Sequence, residues 1–363
     1  MAKLEILLAA LAAAAQAPTL PGLWEGTIGT IPVRACFAKR EFGDFGAYYY
    51  RSQLKLIPLD PVDNAPGTFG ESSGEGSPRW RIEKAGADSL AGRWSHGKRV
   101  LPIRLKRVAA QLGEDSPCAA AAFHAPRLAG LKTTASSASR DFIAYERLVL
   151  DTRGRFDASV DTFRFGGRGE AVDRINAALL QPLSGDPPEW FACVREALER
   201  SPYEGSFHVR LEPALISRRW LSVVVEQDVF CGGAHPSGGR AYRAFDLTTG
   251  REVDILDWFN AKAVRRERIG ESSEVFKTLT PAFRSFLLAG TKPDAECGEI
   301  VRSEEYWNVG LTRKGLVFAP SLAHAVRACG EEVTRSFSAL KPWLTAEGAR
   351  NLTEIAAEKV GQP

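Results

Sequence analysis

The sequence predicts an α+β protein in two parts, an N-terminal antiparallel β-meander followed by an α+β domain. Three observations carry this. Apolar and polar residues alternate with period two in short runs between residues 24 and 108. Apolar residues recur at helical spacing only later, first around residues 172–179. Beyond that point helix and strand patterns follow one another without the strict alternation of a parallel βαβ sheet. A length of 363 residues suits about two domains. Hydrophobic residues at 44% and charged residues at 25% are ordinary globular proportions, which excludes wholesale disorder, collagen and a polytopic membrane protein.

Residues 1–17 read as a secretory signal peptide: Lys3 near the start, an apolar run over 6–15, then small residues before Ala15 and Ala17. The run is too short to cross a hydrocarbon core of about 30 Å, so no transmembrane anchor is expected. Glu5 departs from the usual positive start, and Pro18 resists cleavage after Ala17, leaving cleavage after Ala15 or Ala17 open. Export places the mature chain in the periplasm or outside the cell. The expected parts are then a β-rich domain over 18–118, a linker over 119–139, an α+β domain over 140–345 and a tail over 346–363.

In the first part the alternating runs 24–28, 31–37, 47–59, 80–82, 90–94 and 100–108 are bounded by Gly, Pro and Asp, the signature of strands. Residues 65–78, rich in Gly, Ser and Glu, read as a hairpin loop. The Ala-, Ser- and Thr-rich stretch 119–139 reads as the linker. In the second part, 172–179 and 190–198 are helices, the latter with Asp186 as N-cap and Pro187 in its first turn. The β-branched run 221–230 predicts a central, continuously buried strand. Residues 245–255 form a hairpin turning at Thr249-Gly250, residues 272–288 a helix interrupted at Pro281, and residues 315–318 a late strand.

Lys plus Arg number 47 against 44 Asp plus Glu, a net charge of +3 that gives no case for nucleic acid. Six cysteines, Cys36, Cys118, Cys193, Cys231, Cys297 and Cys329, behind an export signal read as disulfides. Fifteen pairings are possible. If pairs stay within domains, Cys36 joins Cys118, and Cys193–Cys231 with Cys297–Cys329 is the sequential choice.

Several short motifs invite chemistry. Gly70-Glu71-Ser72-Ser73-Gly74 fits the serine-hydrolase elbow, but the strand and helix that strain such a turn are missing from its flanks. Residues 92–98 have phosphate-loop spacing, yet Arg99 stands where Ser or Thr should follow, so a charged hairpin turn is expected. Residues 52–55 and 338–341 fit S-x-x-K without companion motifs. Asn351-Leu352-Thr353 is a glycosylation sequon without meaning in a bacterial-looking export protein. Among His96, His124, His208, His235 and His324, only His235 stands out. It closes Cys231-Gly232-Gly233-Ala234-His235 after the run 221–230, where paired glycines permit positive φ and Pro236 fixes the exit. The turn either presents the imidazole to a ligand or is a glycine bulge with a satisfied histidine. Zinc through Cys231 and His235 is disfavoured by oxidation of the thiol. Asp246, Asp254 and Asp257 flank the next hairpin, where carboxylates serve either turn chemistry or acid/base work.

The strand followed by Cys231-Gly232-Gly233-Ala234-His235-Pro236, then Phe245-Asp246-Leu247-Thr248-Thr249-Gly250-Arg251 and Asp254-Ile255-Leu256-Asp257-Trp258-Phe259, resembles a C-terminal domain shared by two groups of exported proteins. One group is the RsiV-type lysozyme-sensing anti-sigma factors, the other the PdaC-type peptidoglycan deacetylases, in which this domain is non-catalytic. Residues 315–320 and Ala328-Cys329-Gly330 are similar to its closing segments, so the resemblance spans about residues 140–345. It implies an RsiV/PdaC-like α+β fold of mostly unknown function, with lysozyme binding attached to one branch. The deacetylase metal motif is missing, so that activity is not implied. The expectation is an exported binding module for a lysozyme-like protein or a peptidoglycan fragment. Its contacts would be Gly232, Gly233, Ala234, His235, Tyr242 and Asp246, with Trp258 and Trp307 as further contact area. No cofactor, metal ligand or catalytic residue is assigned. The alternative is an envelope hydrolase using His235 with Asp246 or Asp254.

Overall fold

The structure, a computed structural model, describes residues 20–40, 43–63, 65–72, 74, 76–109, 116–268, 275–291 and 295–358. The expected leader at 1–17 lies outside them. The chain divides into two compact units between Pro126 and Arg127.

The first unit holds β1 (Gly22–Ile28), β2 (Ile31–Arg40), β3 (Gly43–Tyr50), β4 (Ile57–Pro61), β5 (Thr68–Gly70), β6 (Arg79–Ala85), β7 (Ser89–His96) and β8 (Arg99–Ala109). Each pairs antiparallel with the next, and β8 returns to β1, so the expected meander is a closed barrel. Alternation turns Trp24, Phe37, Tyr48, Phe69, Trp80 and Leu105 inward, and at eight strands such side chains fill the interior. Closure also removes the exposed edges an open meander would leave.

Three local readings change. The run 47–59 is two strands separated by a turn, and the loop over 65–78 contains β5. Gly70 ends β5, and the next residue, Glu71, accepts hydrogen bonds from Tyr48 Oη at 2.6 Å and Trp94 Nε1 at 2.7 Å. Among the described residues no helix lies between β5 and β6, so the flanks of a nucleophile elbow are missing here. Residues 92–98 lie in β7 and its two-residue turn to β8, with His96 paired to Arg99 and Gly97 at φ 57°, as such hairpins require. The stretch read as a linker holds α1 (Ala121–Leu128) and most of β9 (Lys132–Arg140). Within the first unit, Cys118 bonds to Cys36, Tyr49 Oη donates to the Phe123 carbonyl at 2.8 Å, and buried His124 sits 2.9 Å from the Cys118 carbonyl.

The second unit is built on seven strands in the order β15-β14-β13-β12-β11-β10-β9. These are β9, β10 (Ile143–Asp151), β11 (Ala158–Arg164), β12 (Ser206–Ile216), β13 (Trp220–Phe230), β14 (Ser237–Asp246) and β15 (Arg251–Val253). Only β11 and β12 are parallel, so the chain crosses over between them through α2 (Glu170–Leu180) and α3 (Glu189–Glu196). Val160, Ile175, Leu179, Trp190, Val209 and Leu221 form the core on that side. On the other side, after the hairpin of β16 (Val264–Arg268) and β17 (Val275–Leu279), β18 (Trp307–Thr312) packs against β12, β13 and β14 and pairs with β19 (Gly315–Pro320) in a three-stranded sheet. Trp220, Ala244, Trp258, Phe283, Trp307 and Phe318 share this second core. Thus Trp258 and Trp307 are core residues, not contact surface.

Other elements depart from expectation for identifiable reasons. Pro281 starts α4 (Pro281–Leu288) instead of interrupting a helix, and Thr280 caps it by accepting from Phe283 N. Residues 275–279 are a strand paired with residues 264–268, while 272–274 lie outside the described residues. Pro188, not Asp186, is the N-cap of α3. β13 is interior to the sheet but buried only in its first half, since Glu226, Gln227 and Asp228 are exposed. Residues 346–357 of the expected tail form a helix whose Leu352 and Ile355 enter the second core, and the sequon's Asn351 is buried there too. The six cysteines pair as Cys36–Cys118, Cys193–Cys231 and Cys297–Cys329, which takes Cys231 out of reach of zinc as a thiolate. Among the described residues no helix is long and apolar enough to cross a membrane.

Candidate functional site

Residues directly opposite one another on paired strands project from the same face of a sheet. The register of β11 to β14 therefore lines up Asp161, Arg210, Glu226 and Arg240 in one row, with charge alternating at every step. The neighbouring row is Ser159, His208, Asp228 and Gly238. Both rows point away from the α2/α3 core, because Val160 and Val209, the intervening residues, are buried in it. β18 and β19 do not cover this end of the sheet. The rows instead floor an open cleft of about 1460 Å³, walled by residues 319–323, Arg327 and residues 330–332.

The floor is a network of ion pairs. Arg147 on β10 reaches Asp161 with Nε at 2.8 Å, Arg210 lies 3.9 Å from Asp161, and Arg240 lies 3.7 Å from Glu226 and 3.3 Å from Glu332. Most of these side chains are about half exposed, and pairs of that kind contribute roughly 0–1 kcal/mol each. They can exchange one partner for a ligand group at little cost. Tyr242 ties the wall to the sheet by donating to Glu332 at 2.8 Å. Burial and that carboxylate push its phenol above the usual range. Its ring lies flat on β18, where a Cβ at Gly310 would fall 2.1 Å from Tyr242 Cδ1, so only glycine fits. Gly238 likewise makes room for Arg327, whose Nη1 would be 2.2 Å from a Cβ there.

At one end of the floor Ser159, His208 and Asp157 are joined in a line. His208 Nδ1 is 2.9 Å from Ser159 Oγ, and Nε2 is 3.0 Å from Asp157 Oδ1. An ionised carboxylate only accepts, so Nε2 carries the proton and Nδ1 is left to accept from the serine hydroxyl. The start of β11 is held from beneath. The Asp157 carbonyl accepts from Phe207 N at 3.0 Å, and its backbone N–H bonds to the Glu204 carboxylate.

The residues expected from sequence separate into two groups. The Gly232–His235 turn joins β13 to β14 at their cleft end, one residue pair beyond Asp228 and Gly238. Gly232 has φ 94° and packs so tightly on Ala197 that a Cβ would lie 2.6 Å from its Cα, while Cys231 ties the turn to α3. Gly233, Ala234 and His235 are exposed. Tyr242 stands between the cleft wall and β18. Asp246 lies at the opposite end of β14, roughly 30 Å from the turn at ~3.3 Å per residue. Its carboxylate accepts from Thr248 N at 2.8 Å, from Thr248 Oγ1 and from Arg219 at 3.2 Å, which shapes the turn to β15. Asp254 caps a 3-10 turn through Leu256 N and pairs with Lys277 at 2.7 Å. His235 therefore has neither aspartate as a partner, and the hydrolase built on those residues is corrected by this separation.

Asp246 makes a pH prediction. Burial works to raise its carboxyl, but the hydrogen bonds from Thr248 and Arg219 outweigh this and hold it below the ordinary 3.8. A depressed folded value means stabilisation that is present above pH 3.8 and lost as pH falls through the folded value. Asp246→Asn is expected to cost about 1 kcal/mol at pH 7. Urea unfolding of the two proteins should converge as pH falls progressively below 3.8; an equal gap at pH 7 and at the acid end would refute the assignment.

Sequence reasoning missed most of the floor, although the signal was there. Phe207, Val209 and Leu211 alternate with His208, Arg210 and Glu212, a period-two pattern with one charged face.

No protein-family model matches the chain, and no curated protein matches it. Among solved structures, a DUF3298 family member from Bacteroides fragilis is similar at 12% identity and a TM-score of 0.40, over 63% of this chain and 98% of that one. A DUF3298 family protein from Pseudomonas aeruginosa gives 15% identity and a TM-score of 0.34, over 60% of this chain and 95% of that one. Both neighbours belong to a domain family without an assigned function.

Proposed function

We propose that this chain is an exported binding module whose cleft takes a polar cell-envelope ligand, a peptidoglycan fragment carrying sugar hydroxyls, ammonium and carboxylate groups. The observation that carries the reading is the charge-alternating row Asp161, Arg210, Glu226 and Arg240 on the floor of an open cleft. Rows of alternating sign match a ligand that itself bears both signs, and rigid strands limit the ordering cost of binding. At about 1460 Å³ the cleft exceeds the 300–1,000 Å³ usual for a small ligand and suits an oligomeric fragment. The signal-like residues 1–17 and three disulfides support an oxidising compartment outside the cytosol, the periplasm or beyond. The Gly232–His235 turn follows β13 and precedes β14 beyond Asp228 and Gly238, and on this reading its exposed Gly233, Ala234 and His235 add contacts to a ligand that extends past the cleft floor.

Calorimetric titration with soluble muropeptides, and separately with lysozyme, tests this. Muropeptide binding is expected to weaken at least tenfold, about 1.4 kcal/mol, in Arg210→Glu, and to weaken also in Arg327→Gln. Binding that ignores both substitutions, or binding to lysozyme alone, would overturn the reading.

A further inference from the structure

From Ser159, His208 and Asp157 we infer that the cleft is also a hydrolytic site for a short acyl ester carried on its ligand. This rests on the cleft being the ligand site proposed above. The three side chains come from the neighbouring parallel strands β11 and β12 and the residue just before β11, where Ser159 pairs with His208 in the ladder. Hydrogen bonds of 2.9 Å and 3.0 Å place the imidazole between hydroxyl and carboxylate. That is the nucleophile, base and orienting-group relation that nucleophilic catalysis requires, recognised by geometry and not by sequence order. Ser159 is exposed and His208 part-exposed on the cleft floor, so a bound acyl group can reach them.

The chemistry balances with water alone. Ser159 Oγ attacks the ester carbonyl carbon while its proton passes to His208 Nδ1. The bond from that carbon to the alcohol oxygen then breaks, and the departing oxygen takes the proton from His208. Water adds to the acyl-serine, giving a proton to His208, and the carboxylic acid leaves as Ser159 regains a proton. Asp157 is a positioning residue: it fixes the Nε2–H tautomer and faces the imidazolium that forms. Positive charge for the tetrahedral oxygen is available from Arg147 and Arg210, which project from the same face of the sheet.

The test uses the full chain with a fluorophosphonate probe and with p-nitrophenyl acetate. The wild-type protein is expected to take one adduct, mapped by mass spectrometry to Ser159. Ester turnover should fall by about 10²-fold or more in Ser159→Ala and in His208→Ala. Asp157→Asn should lower kcat about tenfold with KM unchanged, whereas a merely structural loss would show in the unfolding midpoint. Because Ser159 is exposed, its alanine variant should keep the wild-type urea unfolding midpoint, which separates lost chemistry from a lost fold. Absence of an adduct at Ser159, or unchanged turnover in Ser159→Ala, would overturn the inference. Muropeptide binding that persists in that case leaves the cleft reading standing, and loss of binding in wild type removes that reading instead.

Discussion

Replacing Arg127 with alanine is expected to destabilise the second unit by about 3–5 kcal/mol, the cost of leaving a buried charge without its partner. The Arg127 guanidinium is fully buried. It donates to the Glu204 carboxylate at 2.8 Å and to the Arg155 carbonyl, and it lies 4.0 Å from the centroid of the Phe156 ring. Burial pushes the Glu204 carboxyl up against the pull of Arg127. A raised folded value favours the protonated native state, so this contribution is fully present below the ordinary 4.5 and lost as pH rises through the folded value. The deficit of Arg127→Ala should therefore be smaller at pH 4 than at pH 7. Urea unfolding at both pH values measures it. The double substitution Arg127→Met with Glu204→Leu should recover part of the loss, since an apolar pair of similar volume needs no desolvated charge, while the Arg155 carbonyl and the Asp157 N–H lose these partners. A deficit below about 1 kcal/mol at pH 7 would show that the pair is solvated. Because Glu204 also accepts from the Asp157 backbone, the same substitution should disturb the start of β11 and with it the His208 array.

Removing the Cys297–Cys329 bridge by a double serine substitution is expected to cost about 2–4 kcal/mol. The bridge closes 32 residues and ties the 3-10 turn His324–Cys329 to the helix Ala295–Ser303. That turn is part of the cleft wall and carries Arg327 onto Gly238. A loosened wall must be ordered by the ligand, so muropeptide affinity should fall together with the thermal midpoint. Equal stability but lost binding would show that the wall acts on the ligand alone. Lost stability with unchanged affinity would show that the wall is no part of the site.

The barrel strands were readable because Trp24, Phe37, Tyr48 and Trp80 fall on alternate positions between turn residues. Closure was not, since pairing of β1 with β8 depends on accumulated strand twist that no local window contains. Residues 275–279 went to a helix because their pattern is too short to fix a period, and pairing with residues 264–268 decided otherwise. The His235 turn was visible through its glycines. The cleft beside it was not, because its floor draws single residues from β10 to β14, more than ninety positions apart from Arg147 to Arg240.

By itself the sequence determined which residues alternate, where the chain turns, that its cysteines are even in number, and that its two halves differ in kind. Those properties depend on nearest neighbours and composition. Only the tertiary structure decided that Ser159 meets His208 across 49 positions, that Asp246 stands far from His235, and that opposite charges alternate along one row. Such meetings follow from strand order and register, which long-range burial selects and local spacing does not encode.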